Sequence, residues 1–128
     1  MKVILTNGEE VSPIVVTGGG RYTQGATRDA LTFVFPASEE ITALDALFTA
    51  ENCEHITIET NEGEVFVHNG YVIRAELSKK PVLVKEATEE TEAVYESRIL
   101  VTMAQRTEQE SKTAEMYAAM SALLRGEG

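Results

Sequence analysis

His55, His68 and Cys53 are the side chains of this 128-residue chain best suited to metal binding or nucleophilic chemistry. Successive side chains along a strand point to opposite faces. The strand pairing derived below sets His68 beside Ile56, so His55 points the other way and the two histidines share no metal. Cys53 is the only cysteine, which rules out an internal disulfide. It follows a helix C-terminus and has no neighbouring base, a setting that leaves a thiol unactivated. It reads as a small, partly buried apolar residue. The run Gly18-Gly19-Gly20 lacks a following Lys-Ser/Thr and the Gly-x-Gly-x-x-Gly order, so it is neither a phosphate loop nor a dinucleotide site. It reads as a flexible loop continuing to Asp29, with Arg21, Tyr22 and Arg28 as a contact surface. No serine sits in a Gly-x-Ser-x-Gly elbow. Carboxylates are abundant, but any acidic chain brings some together by chance, and no catalytic pair stands out. The expectation is no catalytic, cofactor-binding or metal-ligating residue, and no enzyme.

The formal net charge of −10 points the same way about partners. Proteins that bind duplexes neutralise phosphates with Lys and Arg, and this chain has no basic cluster. Nucleic acid and anionic membrane are therefore not expected as partners. The apolar run Val3-Ile4-Leu5 is too short for the core of a signal peptide. No stretch approaches the ~20 apolar residues of a membrane span. A single domain retained in a cytoplasm, or released by lysis, is expected.

The elements that would carry any function are mostly strands. Val3-Ile4-Leu5 and Val11 to Val16 read as a hairpin around Asn7-Gly8, with Pro13 making the second arm an edge or breaking it. Leu31 to Phe35 is a strand with Leu31, Phe33 and Phe35 on one side, ended by Pro36. Ser38 is placed to cap a helix over about 39–49, with Glu39 and Glu40 in its first turn. Its stripe is Ile41, Leu44, Leu47 and Phe48, and Asn52 stops it.

Ile56 to Thr60, Glu64 to His68 and Tyr71 to Leu77 read as a three-stranded meander. Asn61-Glu62-Gly63 makes its first turn and Asn69-Gly70 its second, since Asn-Gly is the strongest two-residue hairpin signal. That register pairs Ile58 with Phe66, Ile56 with His68, Phe66 with Ile73 and Val67 with Val72. One face then holds Ile56, Ile58, Phe66, Tyr71, Ile73, Ala75 and Leu77. The other carries a cluster of Val65, Val67 and Val72, to be covered by the short helix, another sheet layer or a second subunit, the alternative being three separate surface valines.

After Val82-Leu83-Val84, residues 85–96 read as an acidic, solvated loop. Ile99 to Met103 is a late strand returning to the sheet. Thr107 with Glu110 fits a capping box for a helix over about 107–125. Its apolar arc, Met116, Tyr117, Met120, Leu123 and Leu124, covers only the second half of the helix. A short isolated helix is marginal in water, so this one must dock or associate. The expected fold is α+β, mainly β: an antiparallel β-sandwich or partly closed barrel over residues 1–104, followed by a C-terminal helix in 105–128.

Four segments resemble small proteins encoded in the tail modules of prophages of Gram-positive bacteria: Gln24-Gly25-Ala26-Thr27-Arg28-Asp29-Ala30-Leu31-Thr32-Phe33, Leu44-Asp45-Ala46-Leu47-Phe48, Tyr71 through Val82, and Ile99 through Gln105. The resemblance spans about residues 21–124 and rests on structural motifs. The order of strand, helix and meander is also similar to the β-domain shared by phage tail tubes and baseplate hubs. The resemblance implies a virion or assembly component that forms rings or trimers. It also implies contacts with copies of itself and other tail proteins, and residence in the host cytoplasm and then the virion. It implies no active site. The expected interface residues are Val65, Val67, Val72, Met116, Tyr117, Met120, Leu123 and Leu124. The alternative is a small monomeric adaptor or assembly chaperone whose C-terminal helix packs on the sheet; an enzyme comes third.

Overall fold

A computed structural model describes residues 1–124, excepting the side chains of residues 108, 111, 114, 118 and 121–124. Ten elements follow in chain order: β1 (Lys2–Ile4), β2 (Glu10–Val11), β3 (Val15–Thr23), β4 (Ala26–Pro36), α1 (Ile41–Leu47), β5 (His55–Glu59), β6 (Val65–Asn69), β7 (Ile73–Lys85), β8 (Val94–Ala104) and α2 (Glu108–Leu124). The strands form two antiparallel four-stranded sheets, ordered β2-β1-β5-β6 and β3-β4-β8-β7. The molecule is mainly β, and neither sheet closes into a barrel. The sandwich half of the expectation therefore holds, and the partly closed barrel does not.

Alternation builds the core. Leu31, Phe33 and Phe35 of β4 face inward beside Met103, Val101 and Ile99 of β8, their ladder partners. Val3, Ile56 and Ile58 supply the facing layer. α1 closes one end: Phe48, just past its last turn, sets its ring 5.0 Å from Phe33 and 5.9 Å from Phe35. Fully burying such side chains contributes roughly 1.5–3 kcal/mol each.

Several sequence expectations change. The Pro13 arm breaks, and the chain leaves β2 in one sheet to begin β3 in the other. Gly18-Gly19-Gly20 is not a loop but the middle of β3, paired with Leu31, Ala30 and Asp29. Its glycines have poor strand propensity, and the neighbouring ladder holds them in place. Ser38 does not cap α1. It lies in a turn closed by Glu39 N–H donating to the Pro36 carbonyl, and Glu40 takes the cap position without a side-chain bond. Glu39 and Glu40 thus precede the first turn. α1 ends at Leu47, short of the expected 49, with Phe48 in the cap position; Asn52 lies beyond the cap, its side-chain amide donating to the Leu47 carbonyl at 2.9 Å. β7 runs unbroken through Pro81 to Lys85, which an edge position allows. The acidic loop shrinks accordingly, since Val94, Tyr95 and Glu96 belong to β8.

The largest correction concerns Asn69-Gly70. The β5–β6 half of the meander forms in the expected register, Ile58 with Phe66 and Ile56 with His68. The second hairpin does not form. A two-residue type I′ turn needs positive φ at both positions, and here only Gly70 has it (φ +78°), while Asn69 stays in β6 opposite His55. The chain crosses instead to the other sheet, where β7 pairs with β8. The physical reason is length: β7 has 13 residues and finds a partner of 11 in β8, against five in β6. Tyr71 is also drawn into the core during the crossing. The two-residue type I′ turn of this protein lies elsewhere, at Gln24-Gly25, with φ of +47° and +81°.

Candidate functional site

α2 is joined to the sandwich by a polar root. β8 ends at Ala104, and Gln105 and Arg106 then run past the sheet crossing. Gln105 donates from its side-chain amide to the Asn69 carbonyl (3.0 Å), and the Arg106 N–H donates to the Gly70 carbonyl (3.1 Å). The Arg106 guanidinium reaches both carboxylate oxygens of Glu54 at 2.9 and 3.0 Å. The capping box read from the sequence is present. Glu110 N–H donates to Thr107 Oγ1 (3.2 Å), and Thr107 N–H donates to Glu110 Oε1 (2.8 Å). Two orphan donors of the first turn are satisfied this way.

Glu110 also accepts both guanidinium nitrogens of Arg28, one at 2.8 Å to Oε2. The Arg28 side chain is 1% exposed and also donates to the carbonyls of Thr23, Gln24 and Gln105. One cation therefore ties the Gln24-Gly25 turn, the end of β8 and the start of α2. The Arg28 charge and the Thr107 N–H hold the Glu110 carboxyl down at about 2, and Glu110 raises the Arg28 pKa in return. An open hollow of about 510 Å³ lies beside this junction, lined by Gln24, Ala26, Gln109, Thr113 and Tyr117. Its one buried cation is fully engaged by Glu110 and backbone carbonyls.

Past the root the helix changes character. Met116, Tyr117 and Met120 are 65%, 68% and 54% exposed, and they form their own apolar hollow with Thr113. These three expected interface residues lie on one flank of α2. Leu123 and Leu124 fall, as side chains, outside what the structure describes.

The valine cluster does not assemble as expected. Val65 and Val67 stand exposed on the outer face of β6, but Val72 lies half-buried in the crossing and opposite neither of them. Phe66 was expected in the core. It faces the core side yet remains 48% exposed, because β6 is the edge of its sheet.

The other chemistry-bearing residues are held apart or occupied. His55 Nδ1 lies 2.7 Å from the Asn69 side-chain oxygen, and the His68 ring packs edge-on against Tyr71. Cys53 is fully buried, and burial pushes its thiol up to about 12. On the outer face of the β3–β4–β8–β7 sheet, Glu76 accepts from Ser78, Lys80 and Arg21, and these bonds hold it at about 2 against the opposing effect of burial. Such a carboxylate stays ionised and is no proton donor near neutral pH. Of the contact surface expected at Arg21, Tyr22 and Arg28, only Tyr22 projects freely; both arginines are committed to ion pairs. Among the described residues, no three His, Cys, Asp or Glu side chains converge to hold a metal. No described helix is long and apolar enough to cross a membrane.

Sequence reasoning found the capping box but missed Arg28 as its partner. No local pattern marks it, since its strand also carries Thr27, Asp29 and Thr32 and its partner lies 82 residues on. The chain matches no known family model, no curated protein and no solved structure.

Proposed function

We propose that this protein is a non-enzymatic structural subunit of a phage-derived tail or baseplate, assembling with copies of itself through α2 and the exposed strand β6. One observation carries the reading. α2 is anchored at its root by buried polar contacts, while Met116, Tyr117 and Met120 are left bare. An apolar flank held in a defined position suits a partner surface better than water does. Methionine adapts its shape to such a contact. The tail-module resemblance of residues 21–124 supplies the setting, and the acidic surface fits protein rather than nucleic-acid partners. The monomeric adaptor, with α2 packed on its own sheet, is less well supported because the described apolar residues of α2 do not touch the sandwich core.

Light scattering of the full chain tests this reading. Assembly through both surfaces predicts a mass above that of two 14.0 kDa chains. Replacing Met116 and Met120 by Gln lowers that mass and leaves the fold intact. A single-chain mass at every concentration favours the adaptor.

A further inference from the structure

The four sheet edges are unequal. β2 has two residues and carries Glu10. β7 carries Lys79, Lys80, Pro81 and Lys85, charges and a proline that discourage a further strand. β3 has three consecutive glycines and so few side chains to pack. β6 has none of these guards. Its Val65, Phe66 and Val67 are 55%, 48% and 60% exposed in sequence, on an open edge.

The hydrogen bonding states which groups are free there. Thr60 N–H donates to the Glu64 carbonyl, so Thr60–Glu64 is a bonded pair. Bonded and non-bonded pairs alternate along an antiparallel ladder. Phe66 and His68 therefore bond inward to β5, while Val65, Val67 and Asn69 turn their N–H and C=O outward. The Asn69 carbonyl is taken by Gln105. Among the described residues, the outward groups of β6 free as complete N–H and C=O pairs are those of Val65 and Val67.

We infer that β6 pairs antiparallel with β6 of a second copy across a two-fold axis centred on Phe66, joining two four-stranded sheets into one of eight. Only this register lets the free groups of Val65 meet those of Val67 in the partner, twice over. A shift toward Asn69 needs a carbonyl already occupied, and the opposite shift runs into the Asn61-Glu62-Gly63 turn. The side chains agree with the choice. The segment Glu64-Val65-Phe66-Val67-His68 is self-complementary when reversed. Glu64 of each copy meets His68 of the other, a carboxylate facing an imidazole that makes no hydrogen bond among the described residues. The two Phe66 rings meet at the axis in a non-bonded pair, where side chains approach closest. The valines pair on the opposite face. Such an isologous contact closes on two copies.

This contact rests on the assembly reading for a second copy to be present, but not on α2. Two variants of the full chain test it, each followed by light scattering and melting. Val67→Pro removes an outward N–H and spares the β5 ladder, so it keeps the fold and weakens association by at least about tenfold. Phe66→Cys forms a disulfide-linked dimer under mild oxidation, and Val65→Cys, which faces Val67, forms far less. Buried Cys53 does not compete. Native association in Val67→Pro, or no cross-link from Phe66→Cys, overturns the inference. If Met116→Gln with Met120→Gln then dissociates the protein, the α2 reading survives that failure. If the native chain is a monomer throughout, both fall.

Discussion

α2 has two unlike halves. Its first turn is fixed by Arg28, Thr107, Glu110 and, just before it, Arg106, all in polar contacts with the sandwich or each other. Its later turns carry Met116, Tyr117 and Met120 in the open. An amphipathic helix that merely stabilises its own domain lays its apolar stripe on the core. Here polar bonds position the helix, and its described apolar residues Met116, Tyr117 and Met120 lie off the core. The difference teaches that anchoring and burial are separate tasks in this molecule: polar bonds fix where the helix starts, and its described apolar side chains stay exposed.

The contrast breaks most visibly at Arg28. Arg28→Ala leaves the carbonyls of Thr23, Gln24 and Gln105 and the Glu110 carboxylate without their shared donor. Buried acceptors that lose a partner are costly. A fall in melting temperature of roughly 10 °C is expected in calorimetry. Arg28→Lys recovers little of it, because one ammonium does not span four acceptors.

Acid sharpens the same point. Glu110 and Glu76 are held at about 2 in the fold, below their ordinary 4.5. The unfolded chain binds these protons first as pH falls. Their contribution is therefore complete above about pH 4.5 and is lost as pH drops toward 2. Urea midpoints measured near neutrality and at about pH 3 are expected to fall with acid, and to fall less in Glu110→Gln. An identical acid dependence in the two proteins argues against an anchoring role for Glu110. A milder break is Thr107→Ala, which removes one half of the capping box. It costs about 1 kcal/mol, read as a shift in the urea midpoint.

Legibility in the sequence followed the range of the interactions. The capping box of Thr107 and Glu110 and the turn at Asn61-Glu62-Gly63 depend on neighbours, and both formed as read. So did the inward alternation of Leu31, Phe33 and Phe35. Asn69-Gly70 carried the strongest local hairpin signal yet became a crossing between sheets, because β7 finds more ladder with β8. Gln24-Gly25 carried a weaker signal yet formed the type I′ turn, since β3 and β4 pair along nine positions on either side of it. The glycine run was misread for the same reason: its strand character comes from β4, not from itself. The Val65, Val67 and Val72 cluster depended on the failed hairpin and dissolved with it. The α2 flank needed only helical periodicity, so Met116, Tyr117 and Met120 share a side as read. Arg28 was invisible as an anchor because its partner lies 82 residues away.

The smallest expected change in stability belongs to the bare flank, and there association is the decisive quantity. Light scattering of the native chain beside Met116→Gln with Met120→Gln tests the central claim, with melting recorded for both. Assembly through α2 predicts a native mass above that of two 14.0 kDa chains and a variant of two chains or fewer. The melting temperature should stay unchanged, as for an exposed substitution. A native protein of one chain at all concentrations, or a variant whose mass equals the native, contradicts it.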